Sequence, residues 1–255
     1  MTALAPMLFD IFVTTLALSA IIGLRYFVVA AVTHLLLWAG KGRGRRLNHR
    51  DPHPPRIRRE IVASVIACPI YALPAAVVLE LWKRGGTAIY DDVHAWPLWW
   101  LPASFVVYLL AHDAFYYWLH RGLHHPRVFA WAHAEHHRSR DPSAFASFAF
   151  DPAEALATAW FLPALAMIIP LHWGVALSLL TLMTATAVLN HAGREVWPEG
   201  WLRARPLRWI ITATHHDIHH KRFNGNYGLY LQMWDRLGGT EIRSADDRPS
   251  PDPAA

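Results

Sequence analysis

The chain has 255 residues, of which 54% are apolar and 17% are charged, whereas soluble domains average roughly 45–50% and 25%. These proportions argue against a soluble globular protein. The single cysteine, Cys68, excludes a disulfide framework and every metal site that needs two thiolates. A net charge of +5 is compatible with nucleic-acid binding only if the basic residues form a continuous patch.

Four apolar segments, taken in chain order, predict a membrane protein. A helix needs about 20 apolar residues to cross a bilayer, and the segments 8–38, 61–82 and 96–119 meet or approach that length. The third opens with three tryptophans that suit a membrane interface. The fourth, 153–190, is long enough for two crossings or for a partly re-entrant hairpin. No basic stretch precedes the first segment, so we expect no cleavable signal peptide.

The basic residues follow the predicted topology. Eight lie in 41–59, four in 121–140 and nine from residue 194 onward. Five crossings with the N-terminus outside would place all three groups on the cytoplasmic face, as the positive-inside rule requires. We therefore expect no nucleic-acid partner. The predicted fold is an all-α, multi-pass membrane bundle of four to five spans, with one domain at 1–245 and a disordered tail at 246–255.

Histidines are the second unusual feature, because most of the 17 fall in three short clusters. These are HRGLHH (120–125), HAEHH (133–137) and HHDIHH (215–220). Spacings of three and four residues place side chains on one face of a helix, and all three clusters lie on the predicted cytoplasmic side. The eight imidazoles in this register are His120, His124, His133, His136, His137, His216, His219 and His220, and His191 is a plausible ninth. A structural zinc takes four ligands and a catalytic zinc three, so this set predicts a cytoplasmic cap with two metals.

Several residues near these clusters are candidates for supporting roles. His125 and His215 lie beside predicted ligands but outside their register, and each is either an extra ligand or a hydrogen-bond neighbour. Metal-bound histidines usually donate their second ring N–H to an acceptor, and four residues are placed for such a supporting role. These are His112, Asp113, Glu135 and Asp217. The three acids are equally compatible with headgroup or salt-bridge roles.

Aromatic residues follow the second and third clusters. Phe145, Phe148, Phe150, Tyr227, Tyr230 and Trp234 are candidates to line an entrance for a lipid arriving from the bilayer. Ordinary aromatic packing at a membrane interface is the open alternative.

The three clusters resemble the three histidine boxes of the fatty acid hydroxylase and sterol desaturase superfamily of membrane di-iron enzymes. The similarity covers about residues 100–241 and is greatest to the C-5 sterol desaturases, or lathosterol oxidases. It rests on FYYWLHRGLHH, SAFASFAFDPAEA and HHDIHHKRFNGNYGLYLQMWDRLGGT. The resemblance implies two iron ions and adds His125 and His215 to the metal-binding set. Asp151 stands where eukaryotic members of this type usually have histidine.

The resemblance implies an O2-dependent oxidoreductase that desaturates or hydroxylates a lipid or sterol at an unactivated C–H bond. Electrons would come from an external carrier of the cytochrome b5 or ferredoxin type, with its reductase, since the chain has no flavin or nicotinamide motif. The alternatives are a fatty acyl, sphingoid or carotenoid hydroxylase of the same superfamily, a membrane zinc hydrolase, and a non-enzymatic metal-handling membrane protein. Composition favours a bacterial inner membrane over the endoplasmic reticulum, with the metal site on the cytoplasmic side.

Overall fold

The computed structural model describes residues 4–39, 42–204 and 207–243, so the predicted tail at 246–255 lies outside the described residues. About 67% of the described residues are helical. The α-helices are α1 (Leu4–Trp38), α2 (Pro54–Trp82), α3 (Trp100–Leu123), α4 (Pro126–Ala132), α5 (Ala134–His137), α6 (Pro152–Ala159), α7 (Phe161–Leu165), α8 (Trp173–Asn190), α9 (Glu199–Arg203), α10 (Ala213–Arg222) and α11 (Met233–Leu237). Short 3-10 helices span Ala144–Phe148 and Leu207–Trp209, and the two-residue strands are β1 (Arg45–Arg46), β2 (Ile89–Tyr90), β3 (Leu171–His172) and β4 (Arg194–Glu195).

The first two helices form an antiparallel pair. Helix α2 begins with two prolines, which are tolerated in a first turn because those backbone N–H groups have no helical partner. The pair is linked at one end by a 2.7 Å hydrogen bond from Thr14 to Glu80. Nearer the other end, Tyr26 and Ala30 are fully buried against the 3-10 helix at 144–148.

Within the described residues, three helices are long and apolar enough to cross a membrane: α1, α2 and α8. Helix α3 has 24 residues, which is sufficient length, but it carries the polar side chains of His112, Asp113 and His120 and falls outside that set. The predicted segments 8–38 and 61–82 both form helices, although α2 starts seven residues earlier than expected.

The segment 153–190 forms one long helix instead of two. Its first half is divided into α6 and α7, which meet at Trp160. Pro163 has no N–H to donate to the carbonyl of Ala159, four residues earlier, which weakens the helix at this point, although α2 continues through Pro69 and Pro74. The chain nevertheless passes five times between the two ends of the molecule, because α3 and the broken α6–α7 segment run beside the three apolar helices.

Two small strand pairs fasten the ends of the bundle. Strands β1 and β4 pair antiparallel at the end that carries the histidines, and β2 and β3 pair in parallel at the other end. Beside the first pair, the Glu195 carboxylate accepts the backbone N–H of Thr214, in the first turn of α10. The all-α membrane bundle with a histidine-rich cap is thus confirmed, with fewer long apolar helices than the four to five spans expected.

Candidate metal centre

Nine histidine side chains converge in two adjacent groups at one end of the bundle. The five-histidine group contains His120, His124, His133, His137 and His219, and the four-histidine group contains His136, His191, His216 and His220. Within each group, one ring nitrogen from every histidine lies within 4.8 Å of the others. These nine are the eight in-register histidines and the plausible ninth of the sequence analysis.

Four structural elements deliver these side chains. His120 and His124 lie at the end of α3, and the second cluster lies on and just before α5. His191 directly follows α8, and the third cluster lies on α10. Helix α10 is fixed at its start by a capping box, in which Thr212 and His215 bond reciprocally to each other's backbone, a device that satisfies two free N–H groups.

The HxxHH spacing divides the second and third clusters between the two groups, whereas His120 and His124 of the first cluster both join the five-histidine group. In the second cluster, His133 and His137 join the five-histidine group while His136 joins the other. In the third cluster the assignment is reversed, because His219 joins the five-histidine group and its neighbours at positions 216 and 220 join the four-histidine group. Adjacent helical residues differ by about 100° in direction, so one short helix can supply both groups. The expectation of a single shared face is therefore corrected.

The hydrogen bonds of the rings determine which nitrogen is free to bind a metal. In the five-histidine group, the Nδ1 atoms of His120 and His219 lie 2.9 Å and 2.7 Å from the carbonyl oxygens of Tyr227 and Gly225. In the other group, Nδ1 of His191 lies 2.8 Å from the carbonyl oxygen of Ala187. A carbonyl only accepts, so each Nδ1 carries the proton and each Nε2 carries a lone pair.

These Nε2 atoms point at one another. The Nε2 atoms of His191 and His216 are 2.9 Å apart, and those of His120 and His133 are 3.0 Å apart. Facing lone pairs repel each other unless a cation lies between them. The donor set therefore fits a bound metal ion in each group, and imidazole is a ligand for iron, zinc, copper and nickel alike.

Burial keeps the imidazoles neutral. Desolvation lowers the pKa of His136, His216 and His220 well below the usual value, and the neighbouring histidines act in the same direction. The pKa of His191 falls to about 4 for the same main reason, burial. Metal binding requires deprotonated ligands, so the site is prepared for metal at neutral pH.

Glu154, on α6, is a residue that the sequence analysis missed. Its Oε2 lies 2.7 Å from Nδ1 of His133, and both side chains are almost completely buried. Since a ligand's second ring nitrogen commonly bonds to a carboxylate, Glu154 has the role that had been assigned to other acids. It lies 17 residues beyond the second cluster, in the segment SAFASFAFDPAEA.

His125 and His215 lie outside both groups. The Nδ1 atom of His125 accepts the backbone N–H of Arg127 and caps α4. His215 is held by Thr212 and by the side-chain amide of Gln232, at 2.7 Å from Nε2. Each is the direct neighbour of a grouped histidine along the chain, but its ring bonds to other residues.

The four predicted supporting residues have other partners. His112 shares a hydrogen bond with the Tyr230 hydroxyl, and Asp113 accepts the backbone N–H groups of residues 230 and 231. Glu135 pairs with Arg59 and Arg138, and Asp217 pairs with Lys221. Among the described residues, none of the four bonds to a grouped histidine. Glu135 directly precedes His136, and Asp217 directly follows His216. Adjacent residues of a helix point about 100° apart, so both carboxylates point away from these histidines.

The aromatic candidates divide between the site and the packing around it. Phe150 stacks on His136, with ring centroids 5.0 Å apart, and Tyr227 contacts His120, His124 and His219. The remaining four pack against or bond to residues outside the two groups. Phe145 and Phe148 pack against α1, Tyr230 bonds to His112, and Trp234 stacks on Tyr117. Asp151 accepts the backbone N–H of Glu135 and so anchors α5.

Comparison with known proteins adds an independent finding. Residues 105–240 match the family model described as fatty acid hydroxylase. Lathosterol oxidase of mouse is 35% identical over 187 residues, covering 72% of this chain and 61% of the relative, and the human protein gives the same values. The Delta(7)-sterol 5(6)-desaturase of Gibberella zeae is 31% identical over 216 residues, covering 84% and 58%.

The chain thus spans about three fifths of the length of these curated relatives. They come from animals and fungi, which does not favour the bacterial inner membrane that the composition indicated. No solved structure matches this chain. The resemblance read from the three histidine clusters is confirmed, because the matched residues include all nine grouped histidines and extend over more than half of the sequence. The chain belongs to the fatty acid hydroxylase family.

Proposed function

We propose that this protein is a membrane-bound, O2-dependent di-iron oxidoreductase that introduces a double bond into a lipid or sterol, in the manner of a C-5 sterol desaturase. The observation that carries the proposal is the pair of buried histidine groups with converging Nε2 atoms. The names of the relatives, lathosterol oxidase and Delta(7)-sterol 5(6)-desaturase, support the substrate class and the reaction.

In this proposal the five-histidine group would hold one iron and the four-histidine group would hold the other. Bound iron supplies the oxidising power, drawn from O2 and two electrons, that an unactivated C–H bond requires. The chain's own contribution is to hold nine neutral imidazoles in place. Carbonyl acceptors and Glu154 fix the ring tautomers, as second-layer partners do in other metal sites.

The surroundings of the site fit a lipid substrate. Phe150 covers His136 on the side that faces the spans, and its ring is 6.2 Å from that of Tyr71 on α2. We propose that a lipid reaches the four-histidine group along this side, where apolar side chains exclude water from the reacting carbon. Phe145, Phe148 and Tyr230 would then shape the approach from the second layer.

Domain, membrane side and partners complete the proposal. Residues 1–245 form one membrane domain, and the metal centre faces the cytoplasm because the basic segments share its end of the bundle. An external one-electron carrier of the cytochrome b5 or ferredoxin type, with its reductase, supplies the electrons. The basic cytoplasmic surface is suited to steering an acidic carrier.

A second function rests on a specific finding. The matching family model is described as fatty acid hydroxylase, so hydroxylation of a fatty acyl, sphingoid or carotenoid chain is the alternative reaction. Hydroxylation adds one oxygen to the product, whereas desaturation removes two hydrogens. The mass of the product therefore distinguishes the two.

The first test is the metal content of the detergent-purified chain from iron-replete cells. We expect about two irons per chain, as the ligand count predicts. The variant His136→Ala/His219→Ala, which removes one ligand from each group, should lose them. Its control is His172→Ala, because His172 lies at the opposite end of the bundle in β3. One zinc, or no metal, in repeated preparations would contradict the di-iron proposal and favour hydrolysis or metal handling.

A further inference from the structure

The two histidine groups have different surroundings. All members of the four-histidine group are buried, whereas His124 of the five-histidine group is partly exposed. Phe129 and Phe223 lie over the five-histidine group, with Phe223 4.6 Å from the His137 ring and Phe129 5.5 Å from the His124 ring. We call these two phenylalanines the aromatic cap. It contacts the five-histidine group, whereas Phe150 contacts His136 of the four-histidine group.

Phe223 has an unusual backbone. It ends α10 with φ of 70°, a left-handed conformation that costs a residue with a side chain roughly 1–2 kcal/mol. Glycine is the usual residue at this position of a helix end. The phenylalanine there places an aromatic ring between His137 and the guanidinium of Arg140, which lies 5.6 Å from the ring centroid. An outlier of this kind is a reason to look for a function.

The aromatic cap is flanked by positive charge without matching negative charge. Arg140 lies over Phe223, while Arg127 and Arg222 are within two residues of the cap along the chain, and all three are exposed. Over the ranges that the structure describes, their side chains form no ion pair. The neighbouring cations Arg138 and Lys221 differ, since each is paired with a carboxylate.

We propose that the aromatic cap, with Arg140, is the docking surface for an acidic one-electron carrier protein. Electrons enter through the Phe223 ring to His137 and the five-histidine group. Each docking event oxidises the carrier by one electron and reduces the metal pair by one, so two reduced carriers serve one turnover. The inference rests on the proposed function. It assigns one side of the centre to electrons and leaves the Phe150 side to the lipid.

The test uses the full chain, iron-loaded and in lipid nanodiscs, with the reduced soluble haem domain of cytochrome b5 as the carrier. Oxygen is excluded, and the bimolecular rate of haem oxidation is followed together with the Kd of the carrier for the metal-free chain. Arg140→Gln should slow electron transfer about tenfold at low salt and weaken binding, since surface charge steers association. Phe223→Leu should slow electron transfer while leaving the Kd within about twofold of wild type.

Two controls separate this inference from the proposed function. Arg43→Gln removes an exposed arginine near the end of α1 and should leave both quantities unchanged. Every variant should keep its iron and accept electrons from dithionite as fast as wild type. A wild-type chain that fails these two checks would contradict the di-iron proposal itself.

Three results would overturn the docking surface while leaving the di-iron proposal intact. The first is that dithionite reduces the wild-type chain but the carrier does not. The second is that the carrier reduces Arg140→Gln and Phe223→Leu as fast as it reduces wild type. The third is an effect of Arg140→Gln confined to binding of phosphatidylserine vesicles, measured by co-sedimentation. That result would assign the arginines to lipid headgroups.

Discussion

Glu154 shows how one buried carboxylate can differentiate two otherwise similar groups of histidines. It places a carboxyl oxygen against Nδ1 of His133, whereas the ring partners of His120, His191 and His219 are backbone carbonyls. A carboxylate makes the imidazole a stronger electron donor. The five-histidine group therefore has a more electron-rich ligand as well as one more ligand.

Glu154→Gln should lower metal affinity about 10- to 100-fold, the usual range for loss of a partner of this kind. The amide keeps an acceptor for His133 but removes the negative charge. The measurement is metal retention against a graded chelator, with each group's occupancy followed through the loss of the first and second equivalents. Glu135→Gln is the matched control, because Glu135 is beside His136 in the chain but pairs with arginines. Equal retention by both variants would contradict a role for Glu154.

At the scale of single residues, the three- and four-residue spacing indicated eight of the nine grouped histidines, and the position of His191 after the last apolar segment indicated the ninth. It could not predict their second-layer partners. Four of the bonds to ring nitrogens come from backbone carbonyls, which any residue type can provide. The fifth comes from Glu154, whose distance along the chain from His133 gives no indication that they meet. Family similarity likewise included His125, although its ring caps a helix instead.

At the scale of elements, the loop between α10 and α11 is the part that orients the rings of His120 and His219. Both carbonyl acceptors, of Tyr227 and Gly225, belong to this loop. Asp235 holds the loop from α11 by accepting the backbone N–H groups of residues 227 and 228, each at 2.8 Å. The carboxylate also accepts the hydroxyl of Thr240 at 2.8 Å. The loop is therefore fastened by a carboxylate two contacts away from the metal centre.

Asp235→Asn should destabilise the protein by about 2–4 kcal/mol, because an amide NH2 facing a buried N–H leaves at least one donor unsatisfied. The midpoint of thermal unfolding in detergent should fall, and the fall should persist without metal. The control is Asp92→Asn, because Asp92 is exposed and accepts the single backbone N–H of His94. If both variants melt alike, the loop is not held in the way described.

The helices themselves were predictable to different degrees. Long apolar stretches predicted α1 and α2 because each is long enough to cross a bilayer. The break between α6 and α7 was not predicted, since Pro163 lies in a stretch whose composition matches a continuous span. The early start of α2 was not predicted either. Its first turns contain basic residues at 56, 58 and 59 and lie outside the apolar segment from which the helix was predicted.

At the scale of the whole molecule, the arrangement of charge and the position of the metal centre make the same topological prediction. The loop that contains β1 lies beside the centre, where Asn48 donates to the carbonyl of Pro142. The turn after α2 lies at the opposite end, where Arg84 pairs with Asp10. The two loops should therefore face opposite sides of the membrane.

Cysteine labelling tests this arrangement. The native thiol of Cys68 is buried, so Cys68→Ala gives a background without reactive cysteine. In that background, Arg50→Cys should react with a membrane-impermeant maleimide only from the cytoplasmic side, and Thr87→Cys only from the other side. Labelling of both positions from one side would contradict the five-pass arrangement. The unmodified Cys68→Ala chain serves as the control for non-specific reaction.

Helix α1 connects the metal centre to the thickness of the bilayer. Its 35 residues make it about 52 Å long, against a hydrocarbon core of about 30 Å, so it must lean or extend into the headgroups. Tyr26 on this helix donates to the carbonyl of Phe145, within the 3-10 helix that leads to Ala149, the backbone partner of His136. We therefore expect a change in the tilt of α1 between a thin and a thick membrane to alter the position of the His136 ring. Lipid chain length should therefore influence the geometry of the metal site through hydrophobic mismatch.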